Sequence, residues 1–362
     1  MNRPDIIYLQ DRTSIEVDWT CEMMYYWYKL YNKKGIVPLI EQPWFEVGRN
    51  IHDDLSGFAE GLSTKEVLAK LPTIESCKGD QLLLEPLCRR IGWVVAFGSV
   101  IWPYIIDRFE VIRVEGELIF DRSPLWIPVT PDLVLRNRKT RRLVYVEYKS
   151  TGSTRPGFAL HWPYAIQLHL GIKAIEEEFQ EEVEYGQVLG LYKGVEQKGK
   201  LRHPYVWAYY NHDSFLWSHE WKSQWDLRGV WDHPDGPAKW AKELGGLVKP
   251  EVAREVMKEQ FVWSEPVFKD ERVVNNLIHR RTKRGEELEW LKTVAMTDPT
   301  FVPEHYFDQR SIHCKPVIGA ECPYLAACFN SSVNDDPIGS GLYVERTPHH
   351  DVELTLDTGG RE

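Results

Sequence analysis

Long apolar runs are missing from this sequence of 362 residues. No window of about 18 consecutive apolar residues occurs, so we expect no membrane-spanning helix. The first residues, MNRPDIIYLQDR, lack the apolar stretch of a secretory signal, and we therefore expect a cytoplasmic protein. Residues 1–334 also lack internal repeats and low-complexity linkers, which predicts one compact domain over that range.

Cysteine is scarce, and basic residues are outnumbered by acidic ones. Six cysteines in a cytoplasmic chain of this length argue against a disulfide scaffold and favour free thiols, a metal site or a cluster. The 44 Lys and Arg residues are outnumbered by 54 Asp and Glu, and the net charge of −10 argues against a basic coat for nucleic acid. Local basic runs at 136–142 and 280–284 leave room for DNA binding, although solvated surface is the simpler interpretation of each run.

Aromatic residues are abundant, with 15 Trp, 17 Tyr and 13 Phe. Such a composition excludes a solvated coil for most of the chain and predicts a substantial core. Residues 335–362 differ, because they hold seven acidic and two basic residues together with Gly, Ser and Pro. We expect this segment to be a loose acidic tail.

Hydrophobic periodicity predicts an α/β fold. A polar NRKTR turn joins two apolar runs at 130–136 and 142–149, which predicts a β-hairpin. We predict helices at 17–34, 43–61, 64–72, 80–92, 160–182 and 268–295, and further strands at 109–120, 184–193 and 203–210.

The hairpin carries three residues whose chemistry suits a metal-dependent hydrolase. Asp132 lies at the start of one strand. Glu147 and Lys149 lie two residues apart on the next strand, so their side chains share one face of it. The 14 residues between Asp132 and Glu147 are enough for two short strands and a turn that bring the carboxylates together. Paired carboxylates bind Mg²⁺ or Mn²⁺, and a nearby lysine can orient water or offset charge on a phosphate.

The sequence Pro131-Asp132…Glu147-Tyr148-Lys149 resembles the motif of the PD-(D/E)xK nuclease superfamily, which also lies on a strand–turn–strand. The resemblance implies a restriction-endonuclease-like core, in which a central mixed β-sheet is flanked by helices. It also implies that Asp132 and Glu147 bind the metal ion, with the Tyr148 carbonyl as a further ligand. Lys149 would then position the attacking water or stabilise the charge that develops on the phosphate.

Two helical matches select the branch that resembles the RecB nuclease domain and the Cas4-type exonucleases. Gly48-x-x-x-His52 is similar to the branch's G-x-x-x-H, whose histidine is a metal ligand, and Gln167 follows the hairpin where the branch places a glutamine near the active site. The branch often has a tyrosine four residues after that glutamine, whereas this chain has Gly171.

The resemblance implies a metal-dependent DNA nuclease, acting on DNA ends or single strands in recombination, repair or phage DNA processing. Such a protein works in the cytoplasm of a bacterium or of a phage-infected cell. Two alternatives stay open: a DNA-binding or assembly subunit with little hydrolysis, and a hydrolase of another phosphodiester. Cleavage polarity, protein partners and oligomeric state are not determined by the sequence.

Four cysteines form a second candidate site. Cys21 begins an aromatic-rich segment, and Cys314, Cys322 and Cys328 lie together in HCKPVIGAECPYLAACF. Their order resembles the [4Fe–4S] site that joins the ends of Cas4-type and AddB-type nucleases, although seven residues, rather than the usual two, separate Cys314 from Cys322. A structural Zn²⁺ site, with or without His313, and buried free thiols remain alternatives. Cys77 and Cys88 lack partner spacing, and we interpret them as ordinary thiols.

Overall fold

The structure is a computed structural model of the whole chain. It describes residues 8–10, 12–40, 43–72, 81–151, 158, 162–192, 195–197, 200–202, 209–211, 214–216, 258, 261–298, 300–308, 314, 322–348 and 350.

Helices and strands come mostly in runs along the described chain, with four α-helices between residues 43 and 108 followed by five strands between 109 and 151. The helices are α1 Arg12–Thr20, α2 Glu22–Tyr25, α3 Pro43–Ala59, α4 Thr64–Lys70, α5 Gln81–Ala96, α6 Trp102–Arg108, α7 Ile166–Phe179, α8 Glu271–Thr297, α9 Leu325–Phe329 and α10 Ser331–Asp335. The strands are β1 Tyr8–Leu9, β2 Ile36–Pro38, β3 Phe109–Val114, β4 Leu118–Arg122, β5 Leu125–Val129, β6 Leu133–Asn137, β7 Leu143–Thr151, β8 Val183–Tyr192, β9 Val195–Gln197, β10 Lys200–Arg202, β11 Tyr209–Asn211, β12 Ser214–Leu216, β13 Phe261–Trp263 and β14 Tyr343–Glu345. Short π-helical turns follow α2 at Tyr26–Leu30 and α5 at Phe97–Ile101.

The chain divides into two compact units, which we describe separately. Unit 1 comprises Met1–Glu41, Glu117–Thr130 and Asp270–Glu362, and unit 2 comprises Gln42–Gly116 and Pro131–Lys269. The α/β class predicted from the sequence is confirmed. The prediction of one domain over residues 1–334 stays a prediction.

Unit 2 is built on a five-stranded mixed sheet in the order β13-β8-β7-β6-β3. The predicted hairpin is confirmed, because β6 and β7 pair antiparallel with Leu133 opposite Val146. Strand β8 pairs parallel with β7, and α7 makes the crossover that a parallel pair requires. The remaining pairs, β8 with β13 and β6 with β3, are antiparallel.

Strand β7 separates two packed layers in unit 2. Val144, Val146 and Tyr148 lie in the apolar cluster that also contains residues of α3 and α5. Alternate residues of a strand face opposite sides of the sheet, so Tyr145 and Glu147 face the other layer. There Tyr145 lies against Gly171 of α7.

Unit 1 contains the three-stranded sheet β1-β5-β4 and the two-stranded sheet β2-β14. Its core is rich in aromatic residues, among them Trp27, Tyr324 and Tyr343. Helix α8 crosses this unit and buries Arg281, which is 1% exposed and bonded to Asp18 at 2.7 Å. The basic run at 280–284 is therefore partly structural.

Three sequence predictions differ from the structure. The single strand expected at 109–120 is two strands of different sheets, because the chain turns at Glu115 (φ +47°) and Gly116 (φ +90°). The helix expected at 17–34 is interrupted at Cys21, whose backbone is extended (φ −162°, ψ 122°). Most of the strand expected at 203–210 lies outside the described residues.

The segment predicted as a loose tail from residue 335 is ordered over part of its length. Strand β14 pairs antiparallel with β2, and Tyr343 and Arg346 are buried. The acidic composition of this segment led to the prediction of a tail, although β14 is a short strand whose inward residue, Tyr343, is aromatic. Residues 351–362 lie outside the described residues. No helix of the described chain is both long and apolar enough to cross a bilayer.

Candidate active site

Four elements of unit 2 carry the residues that the sequence assigned to the metal site. Helix α3 buries a stripe formed by Val47, Ile51, Leu55 and Phe58, and His52 lies beside it at the edge of that stripe. Asp132 immediately precedes β6. Since Leu133 pairs with Val146, the same register brings Asp132 next to Glu147 on β7.

His52 and Asp132 form one contact of the site. His52 Nδ1 lies 2.7 Å from Asp132 Oδ1, and the Tyr148 backbone N–H donates to Asp132 Oδ2 at 2.5 Å. The Asp132 side chain is only 9% exposed, and that of His52 is 23% exposed. Both oxygens of the Asp132 carboxylate are thus fixed in direction by a protein donor.

Opposing electrostatic effects set the ionisation of this pair. Burial alone would lower the pKa of His52, but the Asp132 carboxylate outweighs it and the net pKa is raised. Burial alone would raise the pKa of Asp132, but the charges of His52 and Lys149, with the two hydrogen bonds, lower it overall. Asp132 is therefore a carboxylate at neutral pH, as a ligand of a divalent cation must be.

Glu147 is the second carboxylate, and it is 2% exposed. Its Oε1 accepts from Lys149 Nζ at 2.5 Å and from Gln167 Nε2 of α7. Its Oε2 accepts from the hydroxyl of Tyr145. Lys149 is therefore held beside the two carboxylates, where its charge can act on a bound anion.

The donor set can be compared with what a divalent cation requires. Two carboxylates and an imidazole suit Mn²⁺, and suit Mg²⁺ through the oxygens. Gln167 Oε1 is buried and has no hydrogen-bond partner within the described residues, so it is a further oxygen available to an ion or its water. The residue types present fit the metal.

The arrangement nevertheless differs from a closed metal centre. Among the described residues, no group of three or more His, Cys, Asp or Glu side chains is placed to hold an ion. The reason is visible in the contacts, since each carboxylate oxygen already accepts a hydrogen bond from a protein group. Binding an ion would exchange some of these hydrogen bonds for metal–oxygen contacts. The Tyr148 carbonyl stays a predicted ligand.

Sequence reasoning missed two residues of this site, Tyr145 and Glu115. Tyr145 shares the face of Glu147 by strand period, a signal that was available in the sequence. The Glu115 N–H donates to the Asp132 carbonyl at 3.1 Å, and burial, together with the nearby Asp132 and Asp53 carboxylates, raises the pKa of Glu115. Glu115 follows a strand whose end the sequence pattern did not reveal.

The four predicted cysteine ligands are neighbours within unit 1. Cys21 and Cys314 are buried, and Cys322 and Cys328 are partly buried. The Cys322 N–H donates to the Cys314 carbonyl at 3.0 Å, so the backbones of these two residues are in contact. Trp27 Nε1–H donates to Cys328 Sγ at 3.3 Å. His313, Cys77 and the side chain of Cys88 lie outside the described residues.

Burial and neighbouring thiols both change the pKa of Cys322. Burial raises the pKa of Cys322 to about 11, and the nearby thiols of Cys328, Cys314 and Cys21 add to this increase. The thiols of Cys21, Cys314 and Cys328 are thus all near enough to Cys322 to affect its ionisation. No three of them are placed as ligands of one ion in the described part of the chain.

The basic run at 136–142 is largely neutralised by acidic neighbours. Arg136 makes a two-point ion pair with Glu181, with Nη2 at 3.0 Å from Oε1. Arg141 and Arg142 lie within 3.4 and 3.6 Å of Glu110 and Glu182. Because these acids screen the guanidinium groups, the run is a weaker candidate for phosphate contacts than its sequence suggests.

Comparison with protein-family models finds none that matches this chain, and comparison with curated proteins likewise finds no match.

Proposed function

We propose that this protein is a divalent-metal-dependent nuclease of the PD-(D/E)xK type, with DNA as its substrate. One observation carries the proposal. His52 and the Tyr148 N–H contact Asp132, while Lys149 and Gln167 contact Glu147, the residue before Tyr148, so residues from distant parts of the chain form two adjoining sets of contacts in unit 2. Two buried carboxylates beside a lysine are costly to desolvate, and a cation or an anionic substrate offsets that cost.

Each residue has a role that its contacts support. Asp132, Glu147 and His52 would hold the ion, which when bound polarises the scissile phosphate and lowers the pKa of water. Lys149 donates a hydrogen bond to Glu147 and would orient the attacking water or stabilise negative charge on the phosphate. Gln167 would keep Glu147 in place through Nε2 and offer Oε1 to the substrate or water.

The nature of the substrate rests on the resemblance and on the chemistry of the site. A lysine next to an oxygen-rich cation site is suited to a phosphodiester. The net charge of −10 and the ion-paired arginines provide little long-range attraction for a polyanion. We therefore expect weak binding of duplex DNA away from the site and action on ends or single strands, where fewer phosphates need to be contacted.

The test is a cleavage assay on anaerobically purified protein. End-labelled single- and double-stranded DNA is incubated with Mn²⁺, Mg²⁺ or EDTA. We expect cleavage with Mn²⁺, less with Mg²⁺ because His52 contributes a nitrogen ligand, and none with EDTA. Asp132→Asn should abolish cleavage, whereas Asp107→Asn, an exposed acid on α6 of the same unit, should not.

The outcome also separates the alternatives. DNA binding with no cleavage under any metal would favour a binding or assembly subunit. Cleavage that survives Asp132→Asn would exclude this site as the catalytic centre. RNA and a chromogenic phosphodiester, assayed in parallel, distinguish the substrate classes.

We also propose that Cys21, Cys314, Cys322 and Cys328 bind one metal centre, a [4Fe–4S] cluster or a structural Zn²⁺. Support comes from the proximity of the Cys21, Cys314 and Cys328 thiols to Cys322 and from the hydrogen bond between the Cys322 N–H and the Cys314 carbonyl. Four thiolates suit either centre. The thiols must lose their protons to bind metal, so binding should release protons and weaken in acid.

A further inference from the structure

Tyr145 is buried in unit 2 and its hydroxyl is directed at the candidate metal ligand Glu147. The residue is 0% exposed and lies two positions before Glu147 on β7, so both side chains point towards α7. The hydroxyl donates to Oε2 of Glu147. It is the only described donor that the structure places on that oxygen, since Lys149 and Gln167 both donate to Oε1.

Three donors on two oxygens determine the orientation of the Glu147 carboxylate. The carboxylate plane turns about the Cγ–Cδ bond, and Lys149 and Gln167 restrain this rotation only through Oε1. The Tyr145 hydrogen bond adds an independent restraint through Oε2. Hydrogen bonds from outer groups orient metal-ligating carboxylates in this way, and their loss weakens metal binding.

Gly171 on α7 makes the space that the Tyr145 ring occupies. A Cβ at position 171 would lie 2.4 Å from Tyr145 Cε1, 2.9 Å from Cζ and 3.1 Å from the hydroxyl oxygen. No real Cβ tolerates such contacts, so any other residue at 171 would push the ring and its hydroxyl away. The glycine is thus explained by the strand residue that it faces.

We propose that Tyr145 is a positioning residue whose hydroxyl, supplied from β7, orients Glu147 for the divalent cation. The inference rests on the proposed function, because it concerns the same metal site. A tyrosine that merely satisfies a buried hydroxyl would affect stability alone. A positioning tyrosine affects metal affinity as well.

The experiment measures Mn²⁺ affinity of the DNA-free protein by electron paramagnetic resonance of the free ion. Tyr145→Phe keeps the ring against Gly171 and removes only the hydroxyl, and we expect Mn²⁺ to bind about 10-fold or more weakly. In single-turnover cleavage the rate should fall while the DNA concentration for half-saturation changes little. Tyr185→Phe is the matched control, because its ring packs on the opposite face of the sheet.

Gly171→Ala provides a second, independent variant that keeps the hydroxyl but displaces it. It should weaken Mn²⁺ binding in the same direction, and the double variant should lose little more than Tyr145→Phe alone, since both changes remove one hydrogen bond. Melting curves show which variants are folded.

The two hypotheses fail in different ways. Wild-type Mn²⁺ affinity in folded Tyr145→Phe would overturn the positioning role and leave the proposed function intact. A wild-type protein that binds no Mn²⁺ and cleaves nothing would overturn both.

Discussion

At the scale of a single residue, Asp132 has both a proposed catalytic role and a structural role. Its carboxylate is a candidate metal ligand and also the acceptor for the backbone N–H of Tyr148 and for His52. These buried donors lose their partner when the side chain is truncated. We therefore expect the loss of these hydrogen bonds, and not the relief of repulsion between the two carboxylates, to dominate the effect of truncating Asp132 on stability.

We predict that Asp132→Ala lowers the free energy of unfolding by about 1–3 kcal/mol, the cost of leaving buried donors unsatisfied. Asp132→Asn retains an acceptor and should lose less. Chemical denaturation measures both, and Asp107→Ala, on the exposed side of α6, should stay within about 0.5 kcal/mol of the wild type. An Asp132→Ala protein as stable as the wild type would contradict the hydrogen-bond network.

The His52–Asp132 pair also predicts a pH dependence. The pKa of His52 is raised, so its contribution to stability is complete below the ordinary histidine value of about 6.5 and is lost as the pH rises through the folded value. The pKa of Asp132 is lowered, so its contribution is complete above about 3.9 and is lost as the pH falls through the folded value.

The stabilisation by the pair should therefore be largest between about pH 4 and 6.5 in metal-free protein. The measurement is the difference in melting temperature between the wild type and His52→Gln across pH 4 to 9. We expect this difference to shrink towards alkaline pH. A constant difference would show that His52 contributes through packing and not through charge.

At the scale of elements, strand β14 shows how a short segment is held by its inward residue. Tyr343 stacks on Tyr324 with ring centroids 5.9 Å apart and an interplanar angle of 7°. Its hydroxyl donates to the Pro323 carbonyl at 3.0 Å. The next residue, Val344, points outward and is 37% exposed.

Tyr343→Ala should lower the free energy of unfolding by about 3–5 kcal/mol, as expected for a buried aromatic side chain. Val344→Ala should change it by less than about 0.5 kcal/mol. Urea denaturation compares the two variants. Equal effects would mean that β14 is not anchored by its inward face.

Helix α8 gives a second example of an element with an identifiable end. Asp270 caps it by accepting from the Arg272 N–H at 2.9 Å, and the Arg272 side chain and this bond lower the pKa of Asp270 to about 2. The stabilisation by this charge is therefore present above the ordinary aspartate pKa and is lost as the pH falls towards 2. Asp270→Asn should remove the pH dependence without removing the cap.

At the scale of the whole molecule, the cysteine residues connect the two ends of the sequence within unit 1. Cys21 follows α1, whereas Cys314, Cys322 and Cys328 come almost 300 residues later. A metal centre shared by these thiols closes a very long loop. Loop closure restricts the unfolded chain, and its contribution grows slowly with loop length.

We predict that anaerobically purified protein is brown and contains about four iron and four sulfide per chain. Cys21→Ser should bleach it and lower its melting temperature, although the residues of the nuclease site are unchanged. Cys77→Ser should do neither. Colourless protein with stoichiometric zinc would replace the cluster by a zinc site, and protein without metal at these thiols would refute the shared centre.

Much of unit 2 could be predicted from local patterns. The hairpin β6–β7, helix α3 and the crossover helix α7 follow from period 2, from period 3.6 and from the polar NRKTR turn. The candidate ligands were identified because residue type and strand position limit the available chemistry. The prediction of one strand over 109–120 was wrong because the chain turns at Glu115 and Gly116, both with positive φ, while the alternating pattern continues on either side of that turn.

The sequence by itself determined the α/β class, the order of the main elements and the residues able to bind a cation, because these depend on periodicity and side-chain chemistry. Only the tertiary structure decided that Tyr145 faces Gly171, that Arg136 and Arg281 of the two basic runs are paired with acids, and that β14 belongs to a sheet. Each of these depends on which distant residue supplies the neighbouring surface. Contacts between residues far apart in the chain are fixed by packing, and packing has no local signature in the sequence.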